Sequence, residues 1–97
     1  MGFNKMRIIA GPCQHETYEQ SIAIAEHCKH VCDKYDMDYF FKASYDKANR
    51  TSVEGQRGVG LEQTMKDFLK IKLGADVKTL TDVHTQNEIL KICTYYN

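Results

Sequence analysis

Ninety-seven residues, 42% apolar and 27% charged, suffice for one modest hydrophobic core and exclude general disorder. Lys+Arg 13 balances Asp+Glu 13, so nothing in the charge favours nucleic acid or an anionic membrane as a partner. No apolar run nears the roughly 18 residues a bilayer span needs, and the N-terminus lacks a signal-peptide pattern. Four cysteines (Cys13, Cys28, Cys32 and Cys93) without any mark of secretion read as reduced thiols of a cytoplasmic protein.

Met6 to Ala10 is a short apolar run stopped by Gly11-Pro12, which predicts a buried strand. Thr17 and Gln20 have capping-box spacing. Beyond them Ile22, Ala25, Cys28, Cys32 and Tyr35 recur with helical period, so a helix is expected to about Tyr35. Asp38 to Lys42, rich in aromatics, predicts a second strand. Leu61, Met65, Phe68, Leu69 and Leu73 form the apolar stripe of a second helix, with Gly74 as its stop. Val77 to Thr81 predicts a third strand, and Thr85 with Glu88 opens a third helix through Ile89, Leu90 and Ile92. Alternation of strand and helix predicts an α/β fold with a parallel sheet.

His27, Cys28, His30 and Cys32 invite a metal reading, but residues 28 and 32 share one helix face while 27 and 30 project elsewhere. They are assigned to the helix. A stronger signal lies between Lys42 and Gly60, where 17 residues lack helical or strand period. Such a loop is long for a compact α/β unit, and it leaves the carboxyl end of a strand, where these folds bind ligands. Lys47, Arg50 and Arg57 with Ser44, Asn49, Thr51 and Ser52 offer cations and short donors suited to phosphate and carboxylate oxygens. On pattern alone a solvated polar loop explains them equally well.

Four blocks in order carry a resemblance: Ile9 to Cys13 (IAGPC), Phe41 to Ser52 (FKASYDKANRTS), Arg57 to Glu62 (RGVGLE) and Leu80 to His84 (LTDVH). Together they resemble the 3-deoxy-8-phosphooctulonate synthases, also called 2-dehydro-3-deoxyphosphooctonate aldolases. The related 3-deoxy-7-phosphoheptulonate synthases share GPC; the KANR segment followed by RGxGLE separates the two. The resemblance implies condensation of phosphoenolpyruvate with arabinose 5-phosphate, with release of phosphate, on the way to bacterial lipopolysaccharide. It also implies a (β/α)8 TIM barrel and a homotetramer, of which residues 1–97 are the first three βα units.

By the same resemblance Cys13 is the metal-ligand position, for zinc, iron or manganese. Members that need a divalent metal carry cysteine there, and metal-independent members carry asparagine. Lys42, Ser44 and Lys47 correspond to phosphoenolpyruvate contacts. Asn49, Arg50 and Thr51 correspond to arabinose 5-phosphate contacts, the last two reaching the sugar phosphate of a neighbouring subunit. No catalytic residue is assigned, and Asp82 and His84 are left without a role. A complete barrel takes about 250 residues, so the expectation is an incomplete barrel, inactive alone and a poor metal binder. The alternatives are a piece of the heptulosonate-type synthase and a non-catalytic phosphate-binding remnant.

Overall fold

The computed structural model describes residues 5–45, 60–83 and 85–96. Its elements are β1 (Arg7–Ala10), α1 (Tyr18–Lys34), β2 (Asp38–Lys42), α2 (Leu61–Ala75), β3 (Lys78–Leu80) and α3 (Gln86–Tyr96). The strands form one parallel sheet in the order β1-β2-β3. Ala10 pairs with Phe41, and Lys42 pairs with Leu80. The predicted α/β alternation is therefore present.

The helix starts follow their capping chemistry. Thr17 Oγ1 accepts from the Gln20 amide at 3.1 Å. At α3 the box is reciprocal: the Glu88 amide donates to Thr85 Oγ1 at 3.2 Å, and the Thr85 amide donates to Glu88 Oε1 at 3.1 Å. Both satisfy amides that a first helical turn leaves without partners. The helix ends use aspartate where glycine is commoner. Asp36 (φ 56°) and Asp76 (φ 53°) adopt the left-handed conformation that turns each helix into the next strand. After α1 the Met37 amide closes onto the Cys32 carbonyl at 2.8 Å.

Gly74 is thus not the stop of α2; it sits within the helix, and Asp76 makes the turn. Two stripe residues also differ from expectation. Leu73 is 81% exposed and Tyr35 63%. Steps of four residues drift by about 40° around a helix, so the series Met65, Leu69, Leu73 rotates away from the sheet. The buried face instead follows Thr64, Met65, Asp67, Phe68 and Ile71. Tyr35 is the cap residue beyond α1.

The core lies between α1, α2 and one sheet face. Ala25 and Cys32 from α1 meet Tyr39 and Phe41 from β2 and Met65, Phe68 and Ile71 from α2. Phe41 and Phe68 pack edge to face, 5.5 Å between centroids, a favoured quadrupole geometry. The opposite sheet face is open. Ile9 and Leu80 are exposed there, and Lys78 Nζ lies 5.5 Å from the centroid of the Phe40 ring. The β1 run is therefore not the buried strand expected: Ile8 and Ala10 are half-buried on the covered side and Ile9 is exposed on the other.

Candidate functional site

The pairing of β1 with β2 does not run straight to its end. Ala10 faces Phe41, and the next parallel bridge is Gln14 with Ser44. Three residues of the first segment (Gly11, Pro12 and Cys13) thus span what Lys42 and Ala43 span in the second. An extra residue on one side bends and twists that segment, as a β-bulge does. Pro12 fits such a position because it has no amide to leave unpaired. Gly11 fits because the backbones nearly touch: a Cβ there would overlap the Lys42 carbonyl oxygen. Cys13 is thereby pushed outward and exposed.

Backbone bonds close the bulge. The Ser44 amide donates to the Cys13 carbonyl at 3.2 Å, and the His15 amide donates to the Ser44 carbonyl at 2.8 Å. Between the two segments lies a cavity of about 240 Å³, lined by residues 9–13 and 42–44. It sits at the carboxyl ends of parallel strands, the edge where βα folds present ligand groups. Three sequence-predicted residues, Cys13, Lys42 and Ser44, meet there. Lys47, Asn49, Arg50 and Thr51 lie outside the described residues, as does His84. Asp82 follows β3 and is half-buried.

Beside the cavity is a cluster that no local sequence pattern marks. His15 is fully buried. Its Nε2 lies 2.7 Å from Asp67 Oδ2, and its Nδ1 lies 2.7 Å from Ser21 Oγ. A carboxylate only accepts, so Nε2 carries a proton; in the neutral ring Nδ1 then accepts from the Ser21 hydroxyl. Gln63 Nε2 donates to the second Asp67 oxygen at 2.9 Å. The Phe68 ring stands edge-on, 5.6 Å from the imidazole. The available signal was Asp67 itself, a charge on the helix face that also carries Thr64, Met65, Phe68 and Ile71. A buried carboxylate requires a partner from elsewhere in the chain.

The family model described as the DAHP synthetase I family matches residues 2–97. The chain belongs to the DAHP synthetase I family. It is 44% identical over 81 residues to a Brucella anthropi protein, covering 84% of this chain and 29% of that protein. It is 45% identical over 82 residues to a Dechloromonas aromatica protein, covering 84% and 30%. A Fusobacterium nucleatum protein is 46% identical over 83 residues, covering 86% and 30%. All three relatives are named 2-dehydro-3-deoxyphosphooctonate aldolase. The chain spans about 30% of their length.

In this DAHP synthetase I chain Cys13 suits one soft-ligand position: an exposed thiol at the cavity edge. Among the described residues no three His, Cys, Asp or Glu side chains come together as a metal cage. The fit therefore extends to a single ligand, and no chemical step is derived through a metal. His27 and His30 are exposed, whereas Cys32 is buried and its burial pushes the thiol upward. Among the described residues no helix is long and apolar enough to cross a membrane.

Proposed function

We propose that residues 1–97 supply part of the substrate pole of a (β/α)8 synthase that condenses phosphoenolpyruvate with arabinose 5-phosphate. The observation that carries this reading is the meeting of Cys13, Lys42 and Ser44 around one cavity at the carboxyl ends of β1 and β2. The names of the relatives, together with the KANR and RGxGLE segments, favour the octulosonate over the heptulosonate substrate. The reaction joins the methylene carbon of phosphoenolpyruvate to the sugar aldehyde, consumes one water and releases phosphate.

The task for this chain is mainly electrostatic. Two anionic substrates must be held within bonding distance, and their mutual repulsion opposes it. Lys42, at the sheet edge, supplies a point charge for phosphate or carboxylate, and Ser44 adds a directed hydroxyl. Lys47 extends that pole. Asn49, Arg50 and Thr51 take the sugar phosphate, with Arg50 and Thr51 reaching across a subunit boundary in a homotetramer. Cys13 would give one ligand to a divalent metal, zinc, iron or manganese, which would supply Lewis-acid polarisation of the sugar aldehyde or of its attacking partner. The other ligands belong to strands that residues 1–97 do not supply, so this segment alone is inactive.

A chimera tests the reading directly. This chain replaces the matching segment of the Dechloromonas aromatica relative, and phosphate release from phosphoenolpyruvate is followed. Turnover with arabinose 5-phosphate, and little with erythrose 4-phosphate, is the expected result. Preference for erythrose 4-phosphate would move the chain to the heptulosonate branch, and release with neither sugar would mark a non-catalytic remnant. In the active chimera Arg50→Lys should raise KM for the sugar phosphate about tenfold or more, because a planar two-bond fork becomes a point charge. Exhaustive chelation should abolish turnover, and undiminished turnover would remove Cys13 from the metal.

A further inference from the structure

The side chains of the buried His15 cluster lie outside the cavity lining, yet the cluster is joined to it through the backbone. We propose that His15, held between Ser21 and Asp67, is a positioning residue that fixes Cys13 and Ser44 relative to each other at the cavity edge. The inference rests on the reading above only in taking those two residues as substrate- or metal-facing.

The connection runs through two backbone bonds. The His15 amide donates to the Ser44 carbonyl at 2.8 Å, and the Ser44 amide donates to the Cys13 carbonyl at 3.2 Å. These are the bonds that resume pairing after the bulge. A bulged segment has a weakened ladder, so its geometry needs support from outside the sheet. The His15 ring provides it. One nitrogen is held by Ser21 in the first turns of α1, the other by Asp67 in the middle of α2, each at 2.7 Å. Asp67 is itself fixed by Gln63.

An apolar side chain at position 15 could fill the space but would supply no direction, because dispersion contacts tolerate small rotations. A ring hydrogen-bonded at both ends does not. The cluster also ties the Cys13 loop to α2, the helix that follows the cationic stretch of residues 46–59. The three side chains resemble a nucleophilic triad in composition, but His15 and Ser21 are both fully buried, so no substrate reaches the hydroxyl.

The test is amide hydrogen exchange on the full chain, comparing Ser44 and His15 with the β1–β2 ladder and with α2. Asp67→Ala leaves Nε2 without its acceptor. It should speed exchange at Ser44 and His15 by about tenfold relative to the ladder, a local opening rather than a global one. Asp67→Asn keeps an acceptor oxygen at the same reach and should restore most of that protection. Ser21→Ala, which removes one bond and little volume, should give an intermediate acceleration and serves if Asp67→Ala does not fold. Parallel acceleration of all amides would reduce the cluster to ordinary core packing. Unchanged exchange at Ser44 in Ser21→Ala and Asp67→Ala would likewise overturn the proposal. In the chimera the same variants should raise KM for phosphoenolpyruvate at a temperature where each remains fully folded. A wild-type chimera without activity would remove the substrate reading and leave the exchange comparison standing.

Discussion

Gly11→Ala is expected to destabilise the chain by about 3 kcal/mol, the upper end of what an overfilled, well-packed site costs. The added Cβ would overlap the carbonyl oxygen of Lys42, a backbone atom that no rotamer change moves aside. Relief requires the ends of β1 and β2 to separate, which breaks the Ala10–Phe41 register and the Gln14–Ser44 bridge beyond it. Phe41 belongs to the core on the covered face, so separation also disturbs its packing against Phe68. The check is urea unfolding followed by far-UV circular dichroism, with Gly74→Ala as the comparison. Gly74 lies inside α2, where an added Cβ would meet only ordinary contacts at 3.6 and 3.7 Å, so alanine there should be neutral or stabilising by about 0.5–1 kcal/mol. Equal midpoints for the two variants would show that the strand ends do not approach as closely as described.

The two glycines also show what a sequence discloses about such a fold. Gly11-Pro12 was legible as a stop because both residues break a strand locally, whatever surrounds them. That Gly11 is needed for contact with the neighbouring strand was not legible, since the contact is made with residue 42. Elements came through for the same local reason. Thr17 and Thr85 announce helix starts through bonds to residues three positions on, and the structure holds both. The end of α2 is not legible locally, because glycine is the usual residue at a left-handed position. Aspartate fills that role here at both Asp36 and Asp76. Leu73 lies off the buried face because steps of four residues drift around the helix, which its hydrophobicity alone does not show.

The site divides along the same line. Cys13, Lys42 and Ser44 could be named from ordered motif blocks, and the structure places all three at one cavity. The KANR residues could be named but fall outside the described residues. The His15 cluster could not be named, because its three members are separated by 6 and 52 positions and no local pattern links them. An isolated histidine in a loop and an isolated aspartate on a helix each have ordinary solvated explanations. Only their shared burial makes them a unit.

Lys42→Met should lower kcat/KM for phosphoenolpyruvate in the chimera by about 10²- to 10³-fold, the usual cost of deleting one electrostatic contact to a developing or resident charge. Methionine keeps much of the apolar stem, so the exposed strand end changes little. Lys42 is exposed and at the strand's end, and its backbone pairing with Leu80 needs no side chain. The loss should therefore appear without a matching fall in thermal stability. It should also shrink with salt: added electrolyte screens the lysine's contribution in the wild type, so the two proteins converge at high ionic strength. The contact partner can be read from which constant moves. A rise in KM for phosphoenolpyruvate alone, with arabinose 5-phosphate unaffected, puts the ammonium on the three-carbon substrate. A shift confined to the sugar phosphate would place that substrate at the β1–β2 edge instead, and would reassign Ser44 along with Lys42, since both line the one cavity.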